Sequence, residues 1–324
     1  MRALITGIGG FVGRHLAPLL KQEGFEVWGV DRVPVSPGHP AAVAAQSIAL
    51  GDVCDPVISE RLVRAVRPTH VFHLAGAYGR DAAGRAASND PDVVGFTSLL
   101  ESLQPVSPGA WVMLASSSAV YGAPEQLPID EDAPLKPTTS YGASKIAAEI
   151  AAEHFRLHYK MSVVSVRSFN LIGPHMPSRL FAGAIAAQVV NAERGGTGVV
   201  KTGRLDARRD YVDVRDAAVA YLKLAQMGHS TASVYNVCSG VSHSCRELAD
   251  EMVSEARVGI ELAHDESRVQ RGDVDEQIGS AERIRRDTGW TPETPFSTSV
   301  KDVLLAARAA ADNETETDHN KRAT

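Results

Sequence analysis

The sequence has few of the features that mark disulfide-bonded, membrane or nucleic-acid-binding proteins. It contains 3 cysteines in 324 residues, Cys54, Cys238 and Cys245. Their spacing does not fit a metal site, and an odd, sparse count indicates free thiols in a reducing cytoplasm. No apolar run reaches the roughly 18–20 residues that a membrane helix needs. The 33 Lys and Arg against 39 Asp and Glu give a formal charge of −6, which argues against a nucleic-acid partner.

The apolar content, in contrast, is that of a folded globular chain. It amounts to 44% of the residues, which excludes intrinsic disorder over most of the sequence. At roughly 150 residues per domain, the length predicts about two domains or one large α/β unit. The apolar N-terminal run to Val12 is interrupted by glycines and precedes no small-residue cleavage site. We therefore interpret it as part of the mature fold rather than as a signal peptide.

Strands and helices alternate in the first half of the chain. Apolar runs at Ala3–Thr6, His70–Ala75 and Trp111–Ser116 alternate with helical segments such as Phe11–Glu23 and Asp92–Leu103. This alternation predicts βαβ units and an α/β fold with a Rossmann-type, doubly wound parallel sheet.

The rhythm changes after Asn170, where loops with Gly and Pro appear. We therefore expect a dinucleotide-binding domain at residues 1–169, to which residues 213–239 return. A smaller C-terminal substrate-binding domain is expected at residues 170–311. Residues 312–324 are polar and lack periodicity, which is typical of a disordered tail.

A glycine-rich segment, Thr6-Gly-Ile-Gly-Gly-Phe-Val-Gly13, follows the first strand and opens the first helix. Glycines at such a turn let the backbone approach a pyrophosphate, and the helix N-terminus presents free N–H groups to it. A fragment of this kind alone would fit an ordinary tight turn, but the strand before it and the helix after it favour a dinucleotide site. The residues expected to contact the cofactor are Gly7, Gly10, Phe11, Val12 and Gly13.

An acidic residue, Asp31, ends the second strand. A carboxylate there accepts hydrogen bonds from the adenosine ribose and repels a 2′-phosphate, which favours NAD. The adjacent Arg32 could instead pair with a 2′-phosphate, so NADP stays open. Asp52 and Val53 follow the next apolar segment and are expected near the adenine, although Asp52 could equally be a helix N-cap.

Two further motifs carry candidate chemistry. In Tyr141-Gly-Ala-Ser-Lys145 the phenol and the ammonium lie four residues apart and share one helix face. A nearby positive charge favours the phenolate form, which makes the tyrosine a usable acid or base. Ser116-Ser-Ser-Ala-Val-Tyr-Gly122 ends another strand, where a hydroxyl could hold a substrate oxygen. Taken alone, each motif also fits a solvated helix face or a capped turn.

The motifs together, in the order TGIGGFVG, Asp31, HLAGA, SSSAVYG, YGASK, RSFNLIGP and RRDYVDV, resemble the extended short-chain dehydrogenase/reductases, also described as the NAD-dependent epimerase/dehydratase family. The likeness covers nearly the whole chain. Within that family the segments from Arg209 to Asp216 and from Val234 to Gly240 are most similar to the GDP-4-keto-6-deoxy-D-mannose reductases, and next to the GDP-mannose 4,6-dehydratases.

The resemblance implies roles for individual residues. Tyr141 and Lys145 match the catalytic pair, and Ser117 matches the catalytic Ser or Thr. Leu74 and Ala75 would line the dinucleotide. The positions that would contact the nucleotide sugar are Ser118, Asn170, Arg209, Arg268 and Arg271. For Arg209 a structural pair with Asp210 or Asp213 is the alternative.

Several positions depart from the family pattern. The dehydratases have a Glu two residues after the catalytic Ser or Thr, and this chain has Ala119 there, which cannot act as a base. The Asn that usually opens the following helix is Asp92, and Gly203-Arg204-Leu205 adds a charge near the expected nucleotide site.

The resemblance thus favours NAD(P)H-dependent reduction of the 4-keto group of a nucleotide-linked 4-keto-6-deoxyhexose, with GDP-4-keto-6-deoxy-D-mannose as the expected substrate and GDP-D-rhamnose as the expected product. The alternatives are a 4-epimerase with tightly bound NAD, a 4,6-dehydratase, or a non-catalytic NAD-binding protein. Members of the family dimerise through the helices that correspond to Asp92–Leu103 and Tyr141–Tyr159, so we expect a homodimer.

Overall fold

The computed structural model describes residues 1–76, 91–228, 232–269 and 274–322. The strands of these segments are β1 (Arg2–Thr6), β2 (Glu26–Asp31), β3 (Ser47–Leu50), β4 (His70–His73), β5 (Trp111–Ser117), β6 (Ser162–Ser168), β7 (Asn170–Ile172), β8 (Val199–Thr202), β9 (Arg208–Asp213), β10 (Val234–Val237), β11 (Ser242–Ser244), β12 (Glu261–His264) and β13 (Glu276–Gln277). The α-helices are α1 (Phe11–Gln22), α2 (Pro40–Ala44), α3 (Pro56–Val66), α4 (Phe96–Val106), α5 (Ser140–His158), α6 (Phe181–Glu193), α7 (Val214–Met227), α8 (Cys245–Ser254), α9 (Glu282–Thr288) and α10 (Phe296–Arg322).

A seven-stranded sheet in the order β10-β6-β5-β4-β1-β2-β3 lies at the centre of the molecule. Each neighbouring pair in it is parallel. The strand order reverses beside β1, which places the connections from β1 and β4 on opposite sides of a crevice. This architecture confirms the predicted α/β fold of the Rossmann type.

Alternating strand residues cover both faces of the sheet. Ala3 and Ile5 pack in one buried cluster with α1 and α7, whereas Leu4 packs in the other with α3, α4 and α5. A strand buried on both faces reads as a continuous apolar run, and the middle of β1, Ala3-Leu4-Ile5, is such a run. The sheet edge where the strands end therefore carries the polar residues.

The C-terminal part builds its own core. Helices α6, α8 and α10 pack against β8 and β9 in a third apolar cluster that includes Ile185, Leu248 and Val303. Strand β9 pairs with β7, β11 and β13, and β8 pairs with β12. Within the described segments, no helix is both long enough and apolar enough to cross a membrane.

Two segments differ from the sequence-based expectation. The tail expected at residues 312–324 instead continues α10 as far as Arg322. The helix expected at Asp92–Leu103 begins as a π-helical turn, Pro91–Gly95, before α4. Such a turn shifts the direction of the side chains at its start and often marks a functional site.

Candidate active site

A cleft of about 830 Å³ lies at the carboxyl ends of the central strands, between the sheet and the C-terminal helices. Ligands of open α/β sheets bind in this position. Most of the residues predicted from the sequence line it: Gly7, Gly10, Phe11, Val12, Gly13, Asp31, Arg32, Asp52, Val53, Leu74, Ala75, Ser117, Tyr141, Lys145, Asn170, Arg209 and Arg268. Ser118 does not line it, and Arg271 lies outside the described residues.

The glycine turn forms a close-fitting cradle between β1 and α1. Gly7 has a φ of +68°, and a Cβ added there would lie 2.9 Å from the Cα atom of Ala75. Gly10 is the N-cap of α1 and supplies no side-chain cap, so the first N–H groups of the helix face the cleft. Backbone donors at a helix N-terminus suit a pyrophosphate, so these residues fit a dinucleotide.

Of the glycines in this cradle, Gly13 is the one at which an added Cβ would clash most severely. A Cβ there would lie 2.3 Å from the carbonyl oxygen of Ile8, a backbone atom that cannot move alone. We expect Gly13→Ala to lower the free energy of unfolding by about 1–3 kcal/mol and to weaken NAD(P)H binding about tenfold. Gly109→Ala is the matched control, since no atom lies within 4 Å of the added Cβ. Urea unfolding and cofactor fluorescence titration measure both effects, and equal behaviour of the two variants would contradict the cradle.

Two backbone N–H groups fix the Asp31 carboxylate at the end of the cleft where the adenosine of a dinucleotide would lie. Its Oδ2 accepts the Gly9 N–H at 2.9 Å and its Oδ1 accepts the Val33 N–H at 3.2 Å. Arg32 is exposed, and its nearest carboxylate is Asp52 at 3.9 Å. Asp52 Oδ1 accepts the Cys54 N–H at 2.9 Å, so Asp52 lines the cleft and also caps a turn. The negative charge of Asp31 thus stands at the glycine turn itself, whereas Arg32 extends towards solvent.

Helix α5 brings the tyrosine and the lysine to the cleft. Thr139 caps the helix by accepting the Gly142 N–H at 3.1 Å, which places Tyr141 in the first turn. The Nζ atom of Lys145 lies 5.6 Å from the centre of the Tyr141 ring. The structure therefore brings together Ser117, at the end of β5, with Tyr141 and Lys145.

Lys145 is held by two acceptors inside the protein. Its Nζ donates to the Ala115 carbonyl oxygen at 2.7 Å and to Asp92 Oδ1 at 2.6 Å. Both side chains of the ion pair are buried, with 6% and 0% of their surface exposed. The ammonium is thereby fixed between β5 and the turn before α4.

Two other tyrosines near this centre are unsuited to proton transfer. Burial raises the pKa of Tyr221 to about 12, and its hydroxyl is paired with the Ser168 hydroxyl at 2.6 Å. Burial likewise raises the pKa of Tyr121 to about 12, against the opposing influence of Arg167. Tyr141, which is half-buried and borders the cleft, is placed where a substrate oxygen could reach it.

Ser118 is a correction to the sequence-based site. The chain enters a 3₁₀ turn at Ser118–Val120, which rotates Ser118 out of the cleft, and its hydroxyl donates to Gln277 Oε1 at 3.4 Å. Ser116 borders the cleft instead and donates to Glu149 Oε1 at 2.5 Å. In an extended strand residues i and i+2 share a face, so Ser116 and Ser118 would lie together if β5 continued; the 3₁₀ turn that follows Ser117 is what separates them.

The far wall of the cleft is basic. Arg209 lines it and donates to the Arg208 carbonyl oxygen at 2.7 Å. The two carboxylates considered as its structural partners are engaged elsewhere: Asp210 accepts backbone N–H groups at 2.7–3.1 Å, and Asp213 pairs with Arg215 at 2.8 Å. Arg209 lines the cleft from β9.

Further basic residues of this wall were missed by the sequence reasoning. Arg179 and Lys201 line the cleft from loops and strands whose position depends on the tertiary fold. Arg204, noted only as a departure, also lines it and pairs with Asp206 at 2.8 Å and Asp275 at 2.9 Å. Their signal in the sequence is an isolated basic residue in a loop or a short strand, which is common on any surface.

Comparison with known proteins gives a consistent group of relatives. A model of the GDP-mannose 4,6 dehydratase family matches residues 4–303. The chain is 31% identical to the GDP-6-deoxy-D-mannose reductase of Pseudomonas aeruginosa, over 94% of this chain and 96% of that protein. It is 28% identical to the UDP-glucose 4-epimerase of Corynebacterium glutamicum, over 96% and 97%.

Solved structures agree. The structure of RMD from Pseudomonas aeruginosa complexed with NADPH is similar at a TM-score of 0.81 and 29% identity, covering 95% of this chain and 99% of that one. The UDP-glucose 4-epimerase of Thermus thermophilus in complex with NAD is similar at a TM-score of 0.82 and 27% identity, covering 96% and 100%.

Proposed function

Since the chain belongs to the GDP-mannose 4,6 dehydratase family and is an NAD(P)-dependent enzyme, we propose that it reduces the 4-keto group of a nucleotide-linked 4-keto-6-deoxyhexose. The substrate we favour is GDP-4-keto-6-deoxy-D-mannose, with GDP-D-rhamnose as the product. The reductase of Pseudomonas aeruginosa, 31% identical over nearly the whole chain, supports this choice.

The observation that carries the proposal is the chemistry of the cleft. Among its described lining residues the carboxylates are Asp31 and Asp52, both at the adenosine end. A water elimination needs a base near the sugar, and Ala119 stands where the dehydratases of the family have Glu. Reduction needs instead one proton donor and one oxygen-orienting hydroxyl, and Tyr141 and Ser117 supply these.

Each residue of the cleft has a separate role in the proposed reduction. When bound, the reduced nicotinamide supplies a hydride to the substrate. Ser117 orients the keto oxygen by a hydrogen bond, and Tyr141 gives its proton to that oxygen as negative charge develops on it. The Lys145 ammonium is fixed by hydrogen bonds to β5 and to Asp92, and it therefore keeps a constant position relative to Tyr141. Arg209 and Arg268 bind the diphosphate, for which guanidinium groups are suited.

A direct assay tests this function. Purified protein, GDP-4-keto-6-deoxy-D-mannose and NADH or NADPH are mixed, and the absorbance of the reduced nicotinamide is followed. We expect a decay with at least one cofactor and formation of one 6-deoxy sugar product. No decay with either cofactor would remove the substrate assignment, and a parallel panel of UDP, dTDP and CDP keto sugars would identify the base.

A 4-epimerase is the second candidate, favoured by the epimerase relatives of similar coverage. An epimerase uses the same tyrosine first as a base and then as an acid, and it consumes no cofactor. Protein that purifies with NAD bound, interconverts a UDP-hexose and leaves added NADH unchanged would establish this function in place of the reductase.

The cofactor preference follows from Asp31, whose charge opposes a 2′-phosphate. We propose that NADH is preferred and expect Asp31→Asn to shift the ratio of kcat/KM for NADPH over NADH upward about tenfold, ~1.4 kcal/mol. Asn retains an oxygen to accept the Gly9 N–H, so the turn is kept. Glu60→Gln, which removes one exposed carboxylate of α3 that does not line the cleft, is the control and should change the ratio little. An unchanged ratio in Asp31→Asn would contradict this role.

A homodimer is proposed from the family resemblance and from the surface of α5. Ile150 and Leu157 are 66% and 53% exposed on that helix, and Val94 of the turn before α4 is 39% exposed. Leu99 and Phe155, in contrast, are buried in the protein's own core. Light scattering over a range of concentrations measures the mass, and a monomer throughout would exclude the dimer.

A further inference from the structure

A buried carboxylate neutralises the lysine beneath the proposed proton donor. Asp92 has no exposed surface, and its Oδ1 accepts from Lys145 Nζ at 2.6 Å. Gly76 closes over the pair, since a Cβ there would lie 2.6 Å from Asp92 Oδ1 and 3.3 Å from Lys145 Nζ. The pair therefore lies in a poorly solvated place directly below the cleft, where salt and water screen it little.

The charge of this pair matters for Tyr141. An unpaired ammonium near a phenol favours the phenolate. With a carboxylate in contact, the pair carries no net charge wherever its proton resides, and the phenol meets a dipole rather than a cation. A reduction needs the protonated phenol at the start of each turnover, whereas an oxidation or the first step of an epimerisation needs the phenolate.

We infer that Asp92 is a positioning residue that offsets the Lys145 charge and so keeps Tyr141 in its protonated, proton-donating form near neutral pH. The inference rests on the proposed function in one respect, the direction of the reaction. Through this role Asp92 favours reduction over epimerisation.

Other titratable groups on the neighbouring elements do not supply this neutralisation among the described residues. Glu149, one helical turn beyond Lys145, is engaged by Arg167 of β6 at 2.7 Å. His73 of β4 hydrogen-bonds Thr6 at 3.0 Å, and Tyr221 of α7 stays uncharged because burial raises its pKa to about 12. Arg209 faces the same cleft, but it is unchanged in every variant below, so its effect cancels in the comparison.

The first test follows the phenolate itself and needs no substrate. Tyrosinate absorbance at 295 nm is titrated against pH for the protein and for Tyr141→Phe, and the difference isolates Tyr141 from the other tyrosines. In the Asp92→Asn background we expect the midpoint of that difference curve to move to lower pH by about one unit. Glu60→Gln, which removes one exposed carboxylate from α3, is the control and should leave the midpoint in place.

A second variant separates charge from structure. In Asp92→Asn/Lys145→Met the site again has no net charge, so the midpoint should return towards that of the unmodified protein. If Asp92→Asn alone does not fold, this double variant still decides the matter: a midpoint equal to that of the unmodified protein supports the inference, and a midpoint at clearly higher pH would overturn it, because Lys145 would then act as an uncompensated cation in the unmodified protein. Equal midpoints in the protein and in folded Asp92→Asn would overturn it as well.

The kinetic arm distinguishes this inference from the function assigned above. For the reduction, the pH at which kcat/KM falls on the alkaline side should move down in Asp92→Asn by the same amount as the spectroscopic midpoint. A spectroscopic shift without any turnover of the GDP keto sugar would retain the role of Asp92 and remove the substrate assignment. Turnover of the GDP keto sugar with an unmoved midpoint and an unmoved alkaline limb would retain the substrate assignment and remove the role of Asp92.

Discussion

Replacing Tyr141 by Phe is expected to lower kcat for the reduction by about 10²–10⁴-fold, the usual contribution of a positioned general acid. The ring remains, so the packing of the first turn of α5 and the contact with Lys145 are kept. Only the hydroxyl that would give its proton to the substrate oxygen is removed. The Kd for the reduced cofactor, measured by fluorescence titration, should therefore stay within about twofold of that of the unmodified protein.

Tyr159→Phe provides the matched control for this experiment. It makes the same chemical change at the other end of α5, where Tyr159 is 42% exposed and stacks on Phe155 away from the cleft. We expect its kcat to be unchanged. If Tyr141→Phe retained nearly full turnover, Tyr141 could not be the acid, and the two tyrosines whose pKa burial raises to about 12 would be poor replacements.

The parts of the site that the sequence predicts well are those set by local geometry. The glycine turn, the carboxylate at the end of β2 and the Tyr–Lys spacing on α5 each depend on a few consecutive residues. Because parallel strands share one carboxyl edge, these local pieces meet in one cleft without further information. All of them line the cleft in the structure.

The parts that the sequence does not predict depend on contacts between distant segments. Asp92 and Lys145 are 53 positions apart, and their pairing requires the π-helical turn at Pro91–Gly95 to direct Asp92 inward. Ser118 is adjacent to a cleft residue in sequence, yet the 3₁₀ turn removes it. Arg179 and Lys201 reach the far wall only after the C-terminal helices have packed.

Helix α10 extends beyond the bounds expected from the sequence for a different reason. Residues after Asp312 lack apolar periodicity, and this absence indicates a tail when burial is taken as the source of helix stability. This stretch, NETETDHNKR in residues 313–322, holds few strong helix formers, but it continues a helix already fixed by Val300, Val303 and Leu304 in the C-terminal core. Continuing a formed helix avoids the nucleation cost.

Arg167→Met is expected to have the largest effect on stability, lowering the free energy of unfolding by about 3–5 kcal/mol. Arg167 is buried and holds Glu149 of α5 through bonds of 2.7 and 3.0 Å. It also donates to the Tyr121 hydroxyl and the Glu131 carbonyl oxygen, each at 3.0 Å. Burial acts to lower the pKa of Arg167, but the hydrogen bonds and charge of Glu149 outweigh it and raise that pKa. Methionine fills a similar volume and leaves Glu149 as an uncompensated buried charge.

Two comparison variants make the cause of that loss measurable by urea unfolding. Arg156→Met removes a half-exposed pair with Glu153 from the same helix and should cost ~0.5 kcal/mol or less, as solvent-screened pairs do. Arg167→Met/Glu149→Leu removes both buried charges and should recover a large part of the loss, because the penalty lies in the stranded carboxylate. Equal losses in the single and double variants would assign the effect to packing instead. Since the Arg167–Glu149 pair fixes α5 against β6 one turn beyond Lys145, kcat of the single variant should fall as well, even at temperatures where the protein remains folded.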